Sequence, residues 1–139
     1  MTFYESEIKR IRSIVYSNRG QIDTVIGTRN YINNNYDTDL NLDFLSHTRF
    51  VSKFHLLRLF KKYYGQTPKQ YLTDKRIEKS KEYLKKGMNI TETCFAIGFE
   101  TPSSFSTLFK SKTGITPIEF SKEQLSQSRF NNDFETLER

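Results

Sequence analysis

Between residues 52 and 61, cationic, aromatic and aliphatic side chains occur at a spacing that puts them on one face of a helix. The guanidinium of Arg58 can fork onto the two acceptors of a guanine, and Phe54 or Leu57 can touch a thymine methyl group or a sugar. An ion pair within the domain is the alternative for Arg58, and core packing is the alternative for Phe54. Three other residues of this face suit phosphates. Lys53 and Lys61 do so through their positive charge, and Ser52 through the backbone amides at the start of the helix.

A second set of outward side chains, between residues 101 and 110, consists of small polar groups and one cation. Hydroxyl groups can read base edges, but they distinguish the bases ambiguously. Residues 90–112 carry two acids and two lysines, a net charge of zero. We therefore predict that the first set dominates affinity for DNA, whereas the second tunes the site by shape and weak contacts. The second set comprises Thr101, Pro102, Ser103, Ser106, Thr107 and Lys110.

The positive charge of the chain is concentrated in its middle. The 139 residues carry a net charge of +6, with a pI of about 9.4. Residues 49–86 alone hold twelve lysines and arginines against three acids, a net charge of +9, whereas residues 119–139 carry −2. This distribution favours a polyanionic partner, either nucleic acid or an anionic membrane surface. A solvated, lysine-rich helix face is the alternative.

The sequence offers little that would support an enzyme or a metal site. A single cysteine, Cys94, excludes an internal disulfide, and with His47 and His55 it does not make a standard structural zinc site. Glycine-rich phosphate loops and hydrolase motifs are missing, so we predict no enzymatic activity, no cofactor and no readable small-molecule ligand. Apolar runs are too short to span a bilayer, and residues 1–10 lack the core of a secretory signal, so we predict a cytoplasmic protein without a membrane partner.

Helical spacing prevails along the chain and strand-like alternation is scarce, so the sequence predicts an all-α fold. Ser52 and Thr101 are good N-caps, and Gly65 and Gly114 are expected stops. All three prolines occupy positions near a predicted helix start, where their missing N–H is tolerated. The predicted helices cover about residues 3–17, 24–35, 41–48, 52–64, 67–86, 90–97 and 101–112, with a short one from 116.

Both ends of the chain carry apolar positions at helical spacing. Tyr4, Ile8, Ile11 and Val15 share one face of a first helix that is expected to end near Gly20. This face could dimerise, contact RNA polymerase or cover a core, and the last role is the one expected. In the polar C-terminal tail, one more weak helix is indicated by Phe130, Phe134 and Leu137.

One structural unit occurs twice. At a constant offset of 49, the residues Leu59-Phe60-Lys61, Gly65, Thr67-Pro68 and Tyr71 recur as Leu108-Phe109-Lys110, Gly114, Thr116-Pro117 and Phe120. Upstream of the turn, the offset becomes 48, with Glu100 as the expected insertion. Each copy reads as a short helix, a tight turn, a capped longer helix, a glycine and Thr-Pro. The repeat predicts a helix-turn-helix that is duplicated within one chain.

This pattern resembles the AraC/XylS family of bacterial transcription regulators over about residues 24–120. The resemblance implies a DNA-binding domain of two helix-turn-helix subdomains joined by a long helix. It also implies that Arg76 braces the subdomains and does not contact a base. The residues that carry it are Leu42, Leu45, Ser52, Leu56, Arg58, Phe60-Lys61, Gly65, Thr67-Pro68, Tyr71, Arg76-Ile77, Leu84, Ile90, Ala96-Ile97-Gly98-Phe99, Phe105, Phe109-Lys110, Gly114, Thr116-Pro117 and Phe120.

Together, these patterns predict a sequence-specific regulator that binds double-stranded DNA, with a homeodomain-like, all-α architecture. Recognition helices 52–64 and 101–112 are expected in successive major grooves, because a joining helix of this length spans roughly 28 Å against a DNA turn of ~34 Å. RNA polymerase is a further expected partner. The alternatives are the output domain of a longer sensor-regulator and a basic helical adaptor that binds protein. The predicted segments are an N-terminal helical extension (1–21), a first helix-turn-helix subdomain (22–67), a linker helix (68–87), a second subdomain (88–121) and a polar tail (122–139).

Overall fold

The computed structural model describes residues 2–137, without the side chains of residues 15–17 and 133–137. This part of the chain holds seven α-helices and no strand, which confirms the all-α prediction. The helices are α1 (Phe3–Asn35), α2 (Leu42–Thr48), α3 (Lys53–Tyr64), α4 (Pro68–Lys85), α5 (Ile90–Ala96), α6 (Pro102–Thr113) and α7 (Pro117–Leu137).

The helices form two compact units that are not contiguous in sequence. The first unit contains the residues up to Asn35 together with Leu40–Leu72. The second contains Tyr36–Asp39 together with the residues from Thr73 onward. Each unit therefore holds one copy of the repeated helix-turn-helix: α2 and α3 in the first, α5 and α6 in the second.

Helix α1 corrects two expectations. It runs without interruption for 33 residues, so the break expected near Gly20 is wrong. A glycine inside an exposed helix weakens it by about 1 kcal/mol relative to alanine, but it ends a helix only when it takes up a left-handed cap conformation. The expected core-covering role of the first face is also wrong, because Tyr4 is 73% exposed and Ile11 is exposed as well. Val15, the fourth member of that face, lies outside the described side chains.

The C-terminal half of α1 instead supplies the core of the first unit. Val25 packs with Leu59 and Phe60 of α3, and all three side chains are buried. The Phe60 ring stacks on Tyr64 with the centroids 4.9 Å apart. Helical spacing over residues 52–64 predicts an inward set of Leu56, Leu59, Phe60 and Tyr63. Tyr63 is instead exposed, because its neighbour Tyr64 takes the inner position. The inward positions predicted for Leu56, Leu59 and Phe60 are confirmed.

The start of the turn after α2 packs against α1 at Gly27. A Cβ atom placed on Gly27 would overlap the guanidinium of Arg49, whereas one on Gly20 would meet nothing within 4 Å. Because that guanidinium is the end of a flexible side chain and can move aside, we expect Gly27→Ala to change the free energy of unfolding by less than about 0.5 kcal/mol. The matched variant Gly20→Ala is expected to raise it by about 0.5–1 kcal/mol, because alanine favours the helix. Urea denaturation followed by circular dichroism measures both variants, and equal gains in the free energy of unfolding would contradict the packing of Arg49 at Gly27.

The core of the second unit is built largely from aromatic rings. Phe105 and Phe109 of α6 are fully buried, and their centroids lie 5.7 Å apart in an edge-on arrangement. Phe120 of α7 continues the row at 5.5 Å from Phe109. Cys94 is fully buried in the same core, and burial raises the pKa of its thiol. A raised pKa disfavours the reactive thiolate, which fits a packing role for this cysteine.

Arg76 fixes the short segment that follows α1 to the second unit. Its Nε donates to the carbonyl oxygen of Tyr36 at 2.7 Å, and its Nη2 donates to that of Thr38 at 2.8 Å. The guanidinium carbon lies 5.6 Å from the centroid of the Phe99 ring. Burial lowers the pKa of Arg76, and the nearby carboxylates of Asp39 and Asp37 act in the opposite direction. These contacts make Arg76 a structural residue of the second unit.

Candidate nucleic-acid interface

The turn and the start of α3 are held by local hydrogen bonds. The backbone amides of Arg49 and Val51 both donate to the carbonyl oxygen of Ser46. The hydroxyl of Ser52 accepts from the backbone amide of His55 at 3.1 Å, so Ser52 is the N-cap of α3. Gly65 ends the helix in a left-handed conformation, with φ of 70°. The predicted helix over 52–64 is therefore present, with its cap and its stop where the sequence places them.

The outward face of α3 presents an aromatic ring and free cations. Phe54 is 66% exposed, which excludes the core-packing alternative. Arg58 and Lys61 are exposed, and neither has an ion-pair partner among the described residues. The alternative of an internal ion pair for Arg58 therefore fails in this part of the chain. Leu57 is half-buried, so it offers less surface than its neighbours on this face.

Lys53 differs from the other cations of this face. Its Nζ lies 3.7 Å from a carboxylate oxygen of Asp43 in α2, and both side chains are largely exposed. The same nitrogen lies 5.5 Å from the centroid of the Phe54 ring. An exposed ion pair of this kind contributes little to stability, so the ammonium can exchange the carboxylate for a phosphate at small cost.

Helix α6 repeats the architecture of α3 with a different surface. Thr101 is its N-cap and accepts from the backbone amide of Ser104 at 3.2 Å, and Gly114 ends it with φ of 86°. Lys110 is exposed on its outer face. Thr107 is also exposed, but its hydroxyl donates to the carbonyl oxygen of Ser103 at 3.0 Å. That proton is engaged within the helix, so Thr107 presents mainly an acceptor.

The remaining predicted residues of α6 differ in their exposure. Ser103 is exposed, whereas Pro102 and Ser106 are half-buried. Helical spacing predicts Phe105, Leu108 and Phe109 as the inward residues of α6; Phe105 and Phe109 are buried, whereas Leu108 is only half-buried. The outer face of α6 thus carries fewer charged side chains than that of α3.

One exposed ring was missed when the outward faces were assigned from the sequence. Phe50, in the turn between α2 and α3, is 96% exposed and has φ of +56°. The available signal was the repeat itself, because the offset of 48 pairs Phe50 with Gly98, a residue type that readily adopts positive φ.

The described part of the chain offers neither a metal site nor a membrane-spanning helix. No cluster of three or more histidine, cysteine or acidic side chains could hold a metal ion there. Among the same residues, no helix combines the length and the apolar character that crossing a membrane requires.

The two capped, glycine-terminated helices that follow tight turns define a helix-turn-helix protein. A family model described as a helix-turn-helix domain matches residues 45–123, more than half of the chain. The chain belongs to the AraC/XylS family of helix-turn-helix regulators, which confirms the resemblance noted in the sequence.

Solved structures of similar chains support this assignment. The C-terminal domain of AraT, a response regulator from Geobacillus stearothermophilus, is 30% identical with a TM-score of 0.70, covering 72% of this chain and 84% of that chain. The DNA-binding domain of AdpA, solved in complex with a target DNA, has a TM-score of 0.72 over 76% of this chain and 96% of that chain. Its identity is 17%, so that likeness concerns the fold.

Relatives of known sequence are mainly transcription regulators. An uncharacterized helix-turn-helix regulator from the 5′ region of cgkA in Pseudoalteromonas carrageenovora is 36% identical over 92 residues, which is 66% of this chain and 55% of that protein. The bifunctional transcriptional activator and DNA repair enzyme AdaA of Bacillus subtilis is 32% identical over 104 residues, 74% of this chain and 49% of AdaA. The chain spans about half the length of these two relatives.

Proposed function

We propose that the chain is a sequence-specific regulator of transcription that binds double-stranded DNA through α3 and α6. The observation that carries the proposal is the division of α3 into two faces. Leu56, Leu59 and Phe60 are buried on one face, while the other presents Phe54 and Arg58 to solvent. A helix with one face in its own core and one free cationic face is what insertion into a major groove requires.

In this proposal each side chain of α3 has a distinct role. The exposed guanidinium of Arg58 forks onto a guanine, and the ring of Phe54 and the methyl groups of Leu57 contact thymine methyl groups or sugars. Lys53, Lys61 and the amides behind Ser52 bind phosphates, which position the helix without reading sequence. The basic residues of this half of the chain then supply most of the affinity.

The proposed role of α6 is weaker and depends on shape. Its surface holds short hydroxyl side chains and the exposed ammonium of Lys110, so it adds limited charge and ambiguous base contacts. We assign to it the residues Thr101, Pro102, Ser103, Ser106, Thr107 and Lys110. In functional terms, segments 22–67 and 88–121 are the two reading subdomains, 68–87 is the linker, and 1–21 and 122–139 are an extension and a tail.

We also propose a cellular compartment and a protein partner for the chain. A regulator of this kind acts in the cytoplasm, where the DNA is, and RNA polymerase is a candidate partner. We propose no enzymatic activity: the name of AdaA includes a repair enzyme, but the only cysteine of this chain is buried in a core with a raised pKa. Such a thiol is poorly suited to accept a transferred group.

Selection of duplexes from a random pool, followed by binding measurements over a range of salt concentrations, tests the proposed function. We expect one sequence motif to be enriched. For the selected duplex, the logarithm of the binding constant should fall linearly with the logarithm of salt concentration, with a slope of roughly −3 to −6, because about four to six phosphates are neutralised.

Two outcomes would reject the proposal. One is a pool that shows no enriched motif after repeated rounds, with scrambled and selected duplexes bound equally. The other is an interaction that ignores DNA and persists at high salt, which would support the adaptor alternative instead. A duplex of the same composition in scrambled order is the matched control.

A further inference from the structure

Phe50 has a backbone conformation that lowers the stability of the first unit and a side chain that does not offset this cost. Its φ of +56° lies in the left-handed region, which costs free energy for any residue with a Cβ atom. Its ring is 96% exposed, so it recovers no free energy by burial within the unit. The equivalent position in the turn of the second unit is Gly98, which has φ of +91° and carries no such penalty because it lacks a Cβ atom. The fold of the turn therefore does not call for a phenylalanine.

The position of Phe50 along the chain indicates what the ring could contact. It lies two residues before Ser52, the N-cap of α3, and the N-terminal residues of a recognition helix are the ones that approach the bases. Exposed Phe54 and the cation of Lys53 follow directly in the first turn of α3. An exposed ring that lies three residues before this cation in the sequence would suit a partner that is both anionic and partly apolar.

We propose that the ring of Phe50 packs on the deoxyribose rings at the edge of the major groove that α3 enters. This inference rests on the proposed function. Deoxyribose offers an apolar face next to each phosphate, and a turn that precedes the helix meets the backbone while the helix meets the base edges. Backbone strain at an exposed residue that does not stabilise the fold is a common mark of a functional contact.

Replacement of Phe50 by glycine tests the proposal, because fold and binding should respond in opposite directions. We expect the Tm of Phe50→Gly to stay the same or to rise, since glycine accepts the left-handed conformation. Affinity for the selected duplex should fall roughly fivefold through the lost apolar contact. The loss should be the same on a scrambled duplex, and the salt slope should not change, because no phosphate contact is removed.

Three further variants make the result specific. Phe50→Asn keeps a side chain that tolerates positive φ, and it should reproduce the loss of affinity. Phe3→Ala removes another ring, 82% exposed at the start of α1 and outside both helix-turn-helix copies, and it should leave DNA affinity unchanged. Lys53→Ala should reduce the salt slope by about one, unlike the Phe50 variants.

The outcomes separate this inference from the proposed function. If Arg58→Ala weakens binding but Phe50→Gly does not, the contact by Phe50 is wrong and the function stands. If neither variant weakens binding, the assignment of α3 as a recognition helix fails. A loss confined to the selected duplex would overturn the sugar contact in favour of base reading. A loss of transcription with unchanged DNA affinity would also overturn it, since the ring would then serve a protein partner.

Discussion

Gly98→Ala is expected to lower the free energy of unfolding of the second unit by about 3 kcal/mol, whereas Gly87→Ala should lower it by about 1 kcal/mol. Both glycines have φ of 91°, so both variants carry the same backbone strain. They differ in the space around them. A Cβ atom on Gly98 would lie 3.0 Å from the carbonyl group of Asp37 and from Nη2 of Arg76, whereas one on Gly87 would meet nothing within 4 Å.

The larger effect at Gly98 follows from what the methyl group would displace. The carbonyl of Asp37 belongs to the segment that Arg76 holds by two hydrogen bonds, so the backbone there cannot move away without loosening them. Thermal denaturation followed by circular dichroism measures the overall effect. The rate at which buried Cys94 reacts with a thiol reagent reports on the second unit in particular. Equal losses at Gly98 and Gly87 would show that strain alone determines the cost.

Arg58→Ala is expected to weaken binding to the selected duplex by about 10- to 100-fold, as the loss of a forked contact to guanine does. Ser106→Ala, the corresponding test in α6, should weaken it by no more than about threefold, because a single half-buried hydroxyl reads bases weakly. The exposed position of Arg58 and its lack of an ion-pair partner among the described residues imply that its removal leaves the fold intact. Fluorescence anisotropy at a fixed salt concentration measures both variants.

A conservative variant separates charge from shape at this position. Arg58→Lys keeps the positive charge but loses the planar fork, so it should retain affinity for scrambled DNA while it loses preference for the selected sequence. An Arg58→Lys protein that still prefers the selected duplex would show that the residue serves as a phosphate contact. Similar losses for Arg58→Ala and Ser106→Ala would contradict the proposed dominance of the first unit.

The parts of the fold that the sequence predicts well are those set by local chemistry. Ser52 and Thr101 cap their helices through their own hydroxyls, and Gly65 and Gly114 end them because glycine adopts positive φ easily. These signals act within four residues, so they are visible in a single sequence. Because these signals recur at one offset, they also predict the duplicated helix-turn-helix.

The parts that the sequence missed depend on what surrounds a residue. Gly20 resembled a stop, but without a left-handed cap α1 continues through it. The short helix expected from 116 and the weak helix expected from Phe130 are one continuous helix, Pro117–Leu137, because the polar residues between them are compatible with a helix. The side chains of Phe134 and Leu137 lie outside the described residues. The choice between Tyr63 and Tyr64 as the inward ring depends on how α1 packs, which periodicity alone does not reveal.

In the candidate interface, too, some features follow from local sequence and others depend on how the helices pack. Only the structure shows that Phe54 is exposed and that Arg58 has no ion-pair partner among the described residues, because helical spacing does not define the edges of a face. Which of these side chains touches DNA stays a prediction.

The hydrogen bonds of Arg76 have a consequence for the modularity of the chain. Tyr36–Asp39 clusters with the second unit, although the sequence on both sides of it belongs to the first. A protein cut after Leu72 would therefore yield a fragment whose α1–α2 connection has lost the guanidinium that holds two of its carbonyl oxygens. The two copies that are visible in the sequence are therefore not independent structural modules. Replacing the second copy by that of a relative requires residues 36–39 to be exchanged with it.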